Sequence, residues 1–354
     1  MSERTLGVLL LGFAGLGPDQ DHQQDMYLPA FSTHDDFEVV ATAGTPGDAA
    51  DQATAERLAG KLGLPAPDLD AALADPAVDV VSVCAAPDRR ADAVIAALRA
   101  GKHVLVDKPL ALTTADAARV AAVAAETGKV CLPAHHQRFH PMIAAARGAV
   151  AGGKVGLPWN VQADFLVAGG TPSAAGELAN LAVYPIDVVL ALTGLRVHRV
   201  HARLTTHWSD GDADDFALLF LTHENGLTST ISVGRTRELA DTRPAGLAVH
   251  RYRVSGSHGV LDIDASRPAV VLRRAEASSN TSGTGVGPRG RLLSSWHGPG
   301  TVDRLLDELH AAVTAGRPSS PSAADAVHIA EIVDAARTSA ASGVPVDLHQ
   351  EGTR

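Results

Sequence analysis

Over the first 134 residues, short runs of Leu and β-branched residues alternate with longer Ala-rich segments, a rhythm that predicts parallel strands joined by crossover helices. The expected strands are Thr5–Leu11, Phe37–Ala43, Val78–Cys84, His103–Val106 and Val130–Ala134. Between them Ala49–Leu62, Asp88–Ala100 and Thr114–Thr127 read as helices; two start near Asp or Thr caps, and the last two stop at Gly101 and Gly128. Runs such as VDVVSVCAA are apolar throughout, as strands buried on both faces require. The pattern is that of a doubly wound α/β domain over residues 1–137.

From about Arg138 the pattern changes. One helical stretch, Asn180–Leu192, precedes alternating segments at Val197–Leu204, Ala217–Leu221, Thr228–Val233, Arg251–Ser255 and Val260–Ile263. These predict an open, largely antiparallel sheet, and so an α+β domain over residues 138–354. Helices are expected at Val302–Ala315 and Ala323–Ala341, and a mobile loop at Ser278–Arg291, where SSNTSGTGVGPRGR lacks apolar positions to bury. No repeat of fixed period is present.

Length and composition agree with two globular domains: 354 residues, 45% hydrophobic and 20% charged. A formal net charge of -10 offers phosphate backbones or anionic lipid no broad basic surface, so neither nucleic acid nor membrane is an expected partner. The apolar stretch Leu6–Leu16 follows Arg4 but is punctuated by glycines and lacks a small-residue cleavage pattern, which argues against a secretory signal. Cys84 and Cys131 both lie in apolar strand-like runs, so a disulfide framework is not expected. A soluble, cytoplasmic protein is the expectation.

The chemistry starts at the loop after the first strand, Gly12-Phe13-Ala14-Gly15-Leu16-Gly17, whose glycines permit a tight turn and a close approach to a pyrophosphate. Read as G-x-G-x-x-G, it keeps Gly12 and Gly17, has Ala14 in the middle position and places Gly15 one residue late. Pro18 and a polar insertion with Asp19, Asp21 and Asp25 follow, carboxylates that would weaken pyrophosphate binding if they lay close. The second strand ends Thr42-Ala43-Gly44-Thr45, without the carboxylate that usually binds the adenosine ribose of NAD and without an Arg for the 2′-phosphate of NADP. NAD or NADP is the expected cofactor, with a slight preference for NADP.

The most specific segment is AALRAGKHVLVDKPLALT, in which a Lys follows a buried parallel strand. It resembles the Glu-Lys-Pro segment of the GFO/IDH/MocA oxidoreductases, the glucose-fructose oxidoreductase and inositol dehydrogenase family, with Asp107 in place of the usual Glu. Ala85-Ala86-Pro87-Asp88 resembles the family's Thr-Pro-Asn segment, and His136-Gln137-Arg138-Phe139-His140-Pro141 its Asn-Arg-Arg-Phe-x-Pro. Ala91 stands where the family often has His. The family's helix bearing Asp, Gly, His and a further Asp corresponds to Gly176–Asp187, where Asn180 replaces the first Asp and Tyr184 the His. Positions 180, 184 and 187 would share one helix face.

The resemblance implies a Rossmann-type dinucleotide domain and an NAD(P)-dependent dehydrogenase or reductase acting on CH–OH groups. Its substrate would be a small-molecule polyol or keto-sugar, interconverted between secondary alcohol and ketone. It implies cofactor contacts from Gly12, Phe13, Ala14, Gly15, Gly17, Gly44, Thr45, Ala86, Pro87, Asp107, Lys108, Pro109 and His136. Tyr184 would carry the proton, Lys108 would bond the substrate oxygen and favour the Tyr184 phenolate, and Asp187 and Asn180 would orient Tyr184 or bind neighbouring hydroxyls. A homo-oligomer is implied as well. The alternatives are a non-catalytic nucleotide- or sugar-binding regulatory protein of the same fold, or a glycoside hydrolase that recycles NAD. No metal is expected: His136 and His140 stand four apart, but Pro141 follows and no third ligand is spaced to join them.

Overall fold

The computed structural model describes residues 4–16, 21–209, 211–237, 246–266, 269–274, 289–295 and 300–348, with residues 246–248, 269–274 and 289–295 described by their backbone. Gly17, Asp19 and positions 278–288 of the expected loop lie outside the described residues. The chain divides into two compact units: residues 1–136, 173–175 and 302–334 form the first, and 137–172, 176–301 and 335–354 the second.

The first unit is built on β1 (Leu6–Leu11), β2 (Phe37–Ala43), β3 (Val80–Val83), β4 (His103–Val106) and β5 (Cys131–Pro133), all parallel, in the order β2-β1-β3-β4-β5. β2 and β4 fall on the bounds that the sequence predicts. The side chains of β1 from Gly7 onward and of β3 are buried, as an apolar run covered on both faces must be. The crossovers are α1 (Leu28–Thr33), α2 (Ala49–Leu62), α3 (Leu69–Ala74), α4 (Pro87–Arg99) and α5 (Thr114–Thr127). Asp48, Asp68 and Thr113 cap α2, α3 and α5 by accepting from the amides of Asp51, Ala71 and Asp116, while left-handed Gly63 and Gly128 end α2 and α5.

Besides α1, two short elements here carry little sequence signal. The insertion after the glycine loop folds into a π-helical turn, Gln23–Tyr27, that runs directly into α1. α3 is the other, six residues long.

The second unit contains α6 (Pro141–Ala151), β6 (Pro158–Ala168), α7 (Glu177–Asn180), α8 (Val183–Thr193) and β7 (Val197–Thr205). β8 (Phe216–His223), β9 (Thr228–Thr236), β10 (Gly246–Gly256), β11 (Gly259–Asp264), β12 (Ala269–Arg274) and β13 (Arg289–Ser295) follow. α9 (Thr301–Ala315), α10 (Ala323–Ser342) and β14 (Val346–Asp347) complete the chain. The nine-stranded sheet has the order β13-β12-β11-β10-β6-β9-β8-β7-β14. It is antiparallel except for β6 against β9. β6, which the sequence pattern does not single out, is central, and Arg289–Arg291 of the expected loop belong to β13. α9 and the first part of α10 pack with the first unit, where the Asp334 carboxylate accepts from the Thr114 amide and hydroxyl at 3.1 and 2.6 Å.

The expected helix Asn180–Leu192 is in fact broken. α7 ends at Asn180, and α8 starts only at Val183. Pro185 explains the break: it has no amide to donate, and its ring would strike the carbonyl of Leu181 if the helix ran through. Tyr184 instead donates its amide three residues back to Leu181 at 3.1 Å. Asn180 therefore does not share one continuous helix face with Tyr184 and Asp187, a correction to the reading from spacing alone. Among the described residues no helix is long and apolar enough to cross a membrane.

Candidate active site

In an open parallel sheet, ligands gather beyond the carboxyl ends of the strands, where the strand order reverses. In the first unit that edge carries the residues singled out from the sequence. Gly12–Gly15 follow β1, Gly44 and Thr45 follow β2, and Ala86 and Pro87 lie between β3 and α4. Asp107, Lys108 and Pro109 follow β4, and His136 follows β5. Gly12 has φ +81°, and a Cβ there would lie 2.7 Å from the Ala85 amide nitrogen, so the loop packs against β3 only as glycine. Its amide donates to Ala43 O at 3.0 Å and that of Ala14 to Cys84 O at 2.9 Å.

Asp107 is fully buried and is the hub of a cluster that the sequence did not reveal. Its Oδ1 accepts from the Tyr27 hydroxyl at 2.8 Å and lies 3.0 Å from His22 Nδ1; His22 comes from the inserted segment and Tyr27 from just after it. On the other side stands Arg90, also fully buried, with Nη2 3.4 Å from Asp107 Oδ2. Arg90 Nε donates to Ala85 O at 3.0 Å, and Nη1 to Pro109 O at 2.8 Å and Asp107 O at 3.3 Å, tying the loop after β3 to the loop after β4. Burial alone would raise the Asp107 carboxyl, but the His22 charge and hydrogen bond, with Arg90 and Lys108, hold it well below the usual carboxylate range. Lys108 is 1% exposed and so sits beside a fixed negative charge.

Part of the insertion expected to set carboxylates against the pyrophosphate lies among the described residues. Asp21 Oδ1 accepts from the Gln24 amide at 3.0 Å, and Asp25 is exposed. His22 and, just after the insertion, Tyr27 are what this stretch contributes to the site. In the sequence the signal for them was slight, a titratable His in a polar insertion and a Tyr just after it.

His136 is buried beside this cluster. Burial, then the His22 and Lys108 charges, push its imidazole down to about 3. It is therefore neutral near pH 7 and suited to packing or hydrogen bonding rather than to carrying a positive charge. Because the folded value lies below the ordinary 6.5, the unfolded chain takes up this proton first. The stability contributed by the neutral ring is complete above about pH 6.5 and falls by about 1.4 kcal/mol per pH unit as pH drops toward about 3. His136→Asn should flatten that part of the profile when urea unfolding is followed between roughly pH 4 and 6. An unchanged slope would mean that the acid loss arises elsewhere.

In the second unit Tyr184 lies in the first turn of α8, 6% exposed, its ring 5.6 Å from that of Phe165. Asp187, three residues on, is fully buried and held by a bidentate pair: Arg138 Nε donates to Oδ2 at 2.7 Å and Nη2 to Oδ1 at 2.5 Å. The Asn180 side-chain amide donates to Glu177 Oε2 at 3.0 Å, while Glu177 Oε1 accepts from Arg235 Nε at 3.0 Å. Tyr252 OH lies 3.1 Å from His250 Nε2, and burial, with Asp187 nearby, pushes its phenol well above the ordinary range. His140 Nδ1 accepts from the Met142 amide at 3.2 Å and so caps α6.

Comparison with known proteins now decides the family. Residues 9–135 match the oxidoreductase family with an NAD-binding Rossmann fold, and residues 143–262 match the GFO/IDH/MocA C-terminal domain. The chain belongs to the GFO/IDH/MocA family. Among its relatives, 1,5-anhydro-D-fructose reductase of Ensifer adhaerens is 43% identical over 84 residues, 24% of this chain and 25% of that protein. D-xylose 1-dehydrogenase (NADP(+)) 2 of Haloferax volcanii is 26% identical over 351 residues, 96% of this chain and 98% of that one. The chain thus spans about a quarter of the first relative and nearly all of the second. The solved structure of levoglucosan dehydrogenase in complex with NADH and levoglucosan shares the fold, with a TM-score of 0.82 at 21% identity, covering 98% of this chain and 100% of that one. In this GFO/IDH/MocA chain the Asp107 carboxylate is buried among His22, Tyr27 and Arg90.

Proposed function

We propose that this GFO/IDH/MocA protein is an NAD(P)-dependent oxidoreductase that interconverts a secondary alcohol and a ketone on a sugar, cyclitol or related polyol. The observation that carries this reading is Lys108: a buried lysine at the carboxyl end of a parallel strand, next to a carboxylate held ionised by three basic neighbours. A structural lysine would be exposed, whereas burial of an ammonium is tolerated only with paired charge.

The residues present fit a dinucleotide. The glycine cradle is one that a Cβ at Gly12 would fill, and the adjoining loops after β3, β4 and β5 lie along the same strand edge. Gly12 and Gly15, Ala86 and Pro87, Asp107 and Pro109, and His136 would hold the cofactor. The amides of Gly12 and Ala14 already serve carbonyl acceptors, so pyrophosphate oxygens would be met from Gly15 onward. When bound, the nicotinamide accepts or gives the hydride at the carbinol carbon.

The chain's own residues handle the oxygen and its proton. Lys108 donates a hydrogen bond to the substrate oxygen and stabilises negative charge there, and Tyr184 takes or returns the hydroxyl proton. Asp187, already engaged by Arg138, fixes the position of α8 rather than moving a proton. Asn180, fully buried on α7, secures Glu177. The test is turnover of NAD(P)⁺ across a panel of polyols and cyclitols, with Lys108→Met as control. That variant should still bind reduced nicotinamide, as read by its fluorescence, and lose about 10²–10³ in turnover. Binding without turnover of any polyol by the wild-type protein would instead favour a regulatory role.

A further inference from the structure

A dinucleotide-binding domain tells NAD from NADP at the end of its second strand, where a carboxylate accepts from the ribose hydroxyls and repels a 2′-phosphate. At that position this chain has Gly44, and the structure shows why nothing else can stand there. A Cβ on Gly44 would lie 2.4 Å from Gln52 Cα and 2.5 Å from Gln52 N, both backbone atoms of α2. A side-chain carboxylate at 44 is therefore barred by packing.

The carboxylate comes instead from the first turn of α2. Asp51 is 8% exposed and bridges two loops. Its Oδ1 accepts from the Phe13 amide at 2.7 Å, and its Oδ2 accepts from the Thr45 amide at 2.8 Å and the Thr45 hydroxyl at 2.5 Å. It thus joins the residue after Gly12 to the second residue after β2. All three donors are neutral. Among the described residues no Lys or Arg side chain bonds to it, so its charge is offset only by dipoles.

We infer that Asp51 is the specificity-determining carboxylate of this site and that it selects NAD(H) over NADP(H). The inference rests on the dinucleotide reading above and reverses the lean to NADP(H) drawn from the sequence, where only the end of β2 could be inspected. A 2′-phosphate brings about two negative charges to a place where a buried carboxylate already sits. A free 2′-hydroxyl brings a donor, and Asp51 Oδ1 has one amide hydrogen bond and room for another. One cation approaches the same loop: Arg89 Nη1 donates to Pro46 O at 3.1 Å, but this is an exposed contact and screened by solvent.

The experiment is fluorescence titration of the purified full chain with NADH and NADPH at low and at high ionic strength. NADH should bind at least tenfold tighter, about 1.4 kcal/mol, and the ratio should shrink with added salt. Asp51→Asn keeps the shape and removes the charge, and should narrow the ratio severalfold. The wild-type ratio and its salt dependence need no variant and decide the matter if Asp51→Asn does not fold. NADPH binding as tightly as NADH would overturn the inference while leaving the dinucleotide reading intact, and would point to Arg89. A preference for NADH left unchanged in folded Asp51→Asn would also overturn it. Binding of neither nucleotide would overturn the dinucleotide reading itself.

Discussion

Tyr184→Phe should lower turnover by about 10²–10⁴-fold while leaving the affinity for reduced nicotinamide nearly unchanged, the range expected when a general acid–base group is lost. The ring is kept, and with it the packing on Phe165, so the fold should be little affected. What is lost is the hydroxyl alone. The other ionisable groups considered with it are poorly suited to the proton. Asp187 is bound through both oxygens to Arg138. The Tyr252 phenol is pushed well above its ordinary range by burial, and His136 is pushed down to about 3. A steady-state comparison of kcat and KM separates the roles: a proton carrier lowers kcat, whereas a residue that only binds substrate raises KM. Near-full kcat in Tyr184→Phe would remove Tyr184 from the chemistry and leave the proton to another group.

How much of this was legible in the sequence depended on whether the signal was local. β2 and β4 were read to the residue because each is a short run rich in strand formers and bounded by turn-forming positions; β4 is buried from Val104 onward, while β2 exposes Glu38 and buries its last three residues. Lys108 and the glycine loop were legible for the same reason, since each follows directly from the end of a strand. The π-helical turn was not, because Gln-Gln-Asp-Met-Tyr is too short and too polar to show an apolar period. The break between α7 and α8 was written in Pro185 but masked by the apolar residues around it. Asp51 and Arg90 were invisible for a different cause. Each lies in an Ala-rich helix where a lone charged residue is ordinarily solvated, and only the three-dimensional fold shows that one reaches the glycine loop and the other Asp107. The fold was thus readable from patterns within segments, while the electrostatics of the site depend on contacts between segments far apart in sequence.

Arg90→Met should cost about 3–5 kcal/mol of stability, because it breaks a buried charge pair and leaves one partner behind. Methionine fills similar space, so the loss does not come from a cavity. It comes from Asp107 Oδ2, which would keep no guanidinium near it, and from the carbonyls of Ala85, Asp107 and Pro109, which would lose their donor. Lysine is the informative intermediate. Arg90→Lys restores a positive charge but not the planar fork that reaches three carbonyls and a carboxylate together, so it should recover only part of the loss. Asp107→Asn combined with Arg90→Met should be less destabilising than the sum of the two single changes, since the charge left stranded by the second is removed by the first. Urea unfolding of the four variants beside the wild type measures all of this. Because Arg90 ties the loop carrying Ala86 and Pro87 to the loop carrying Lys108 and Pro109, the folded fraction of Arg90→Met should also bind reduced nicotinamide more weakly. A loss under about 1 kcal/mol, the size expected of an exposed ion pair, would show that these loops hold their places without it.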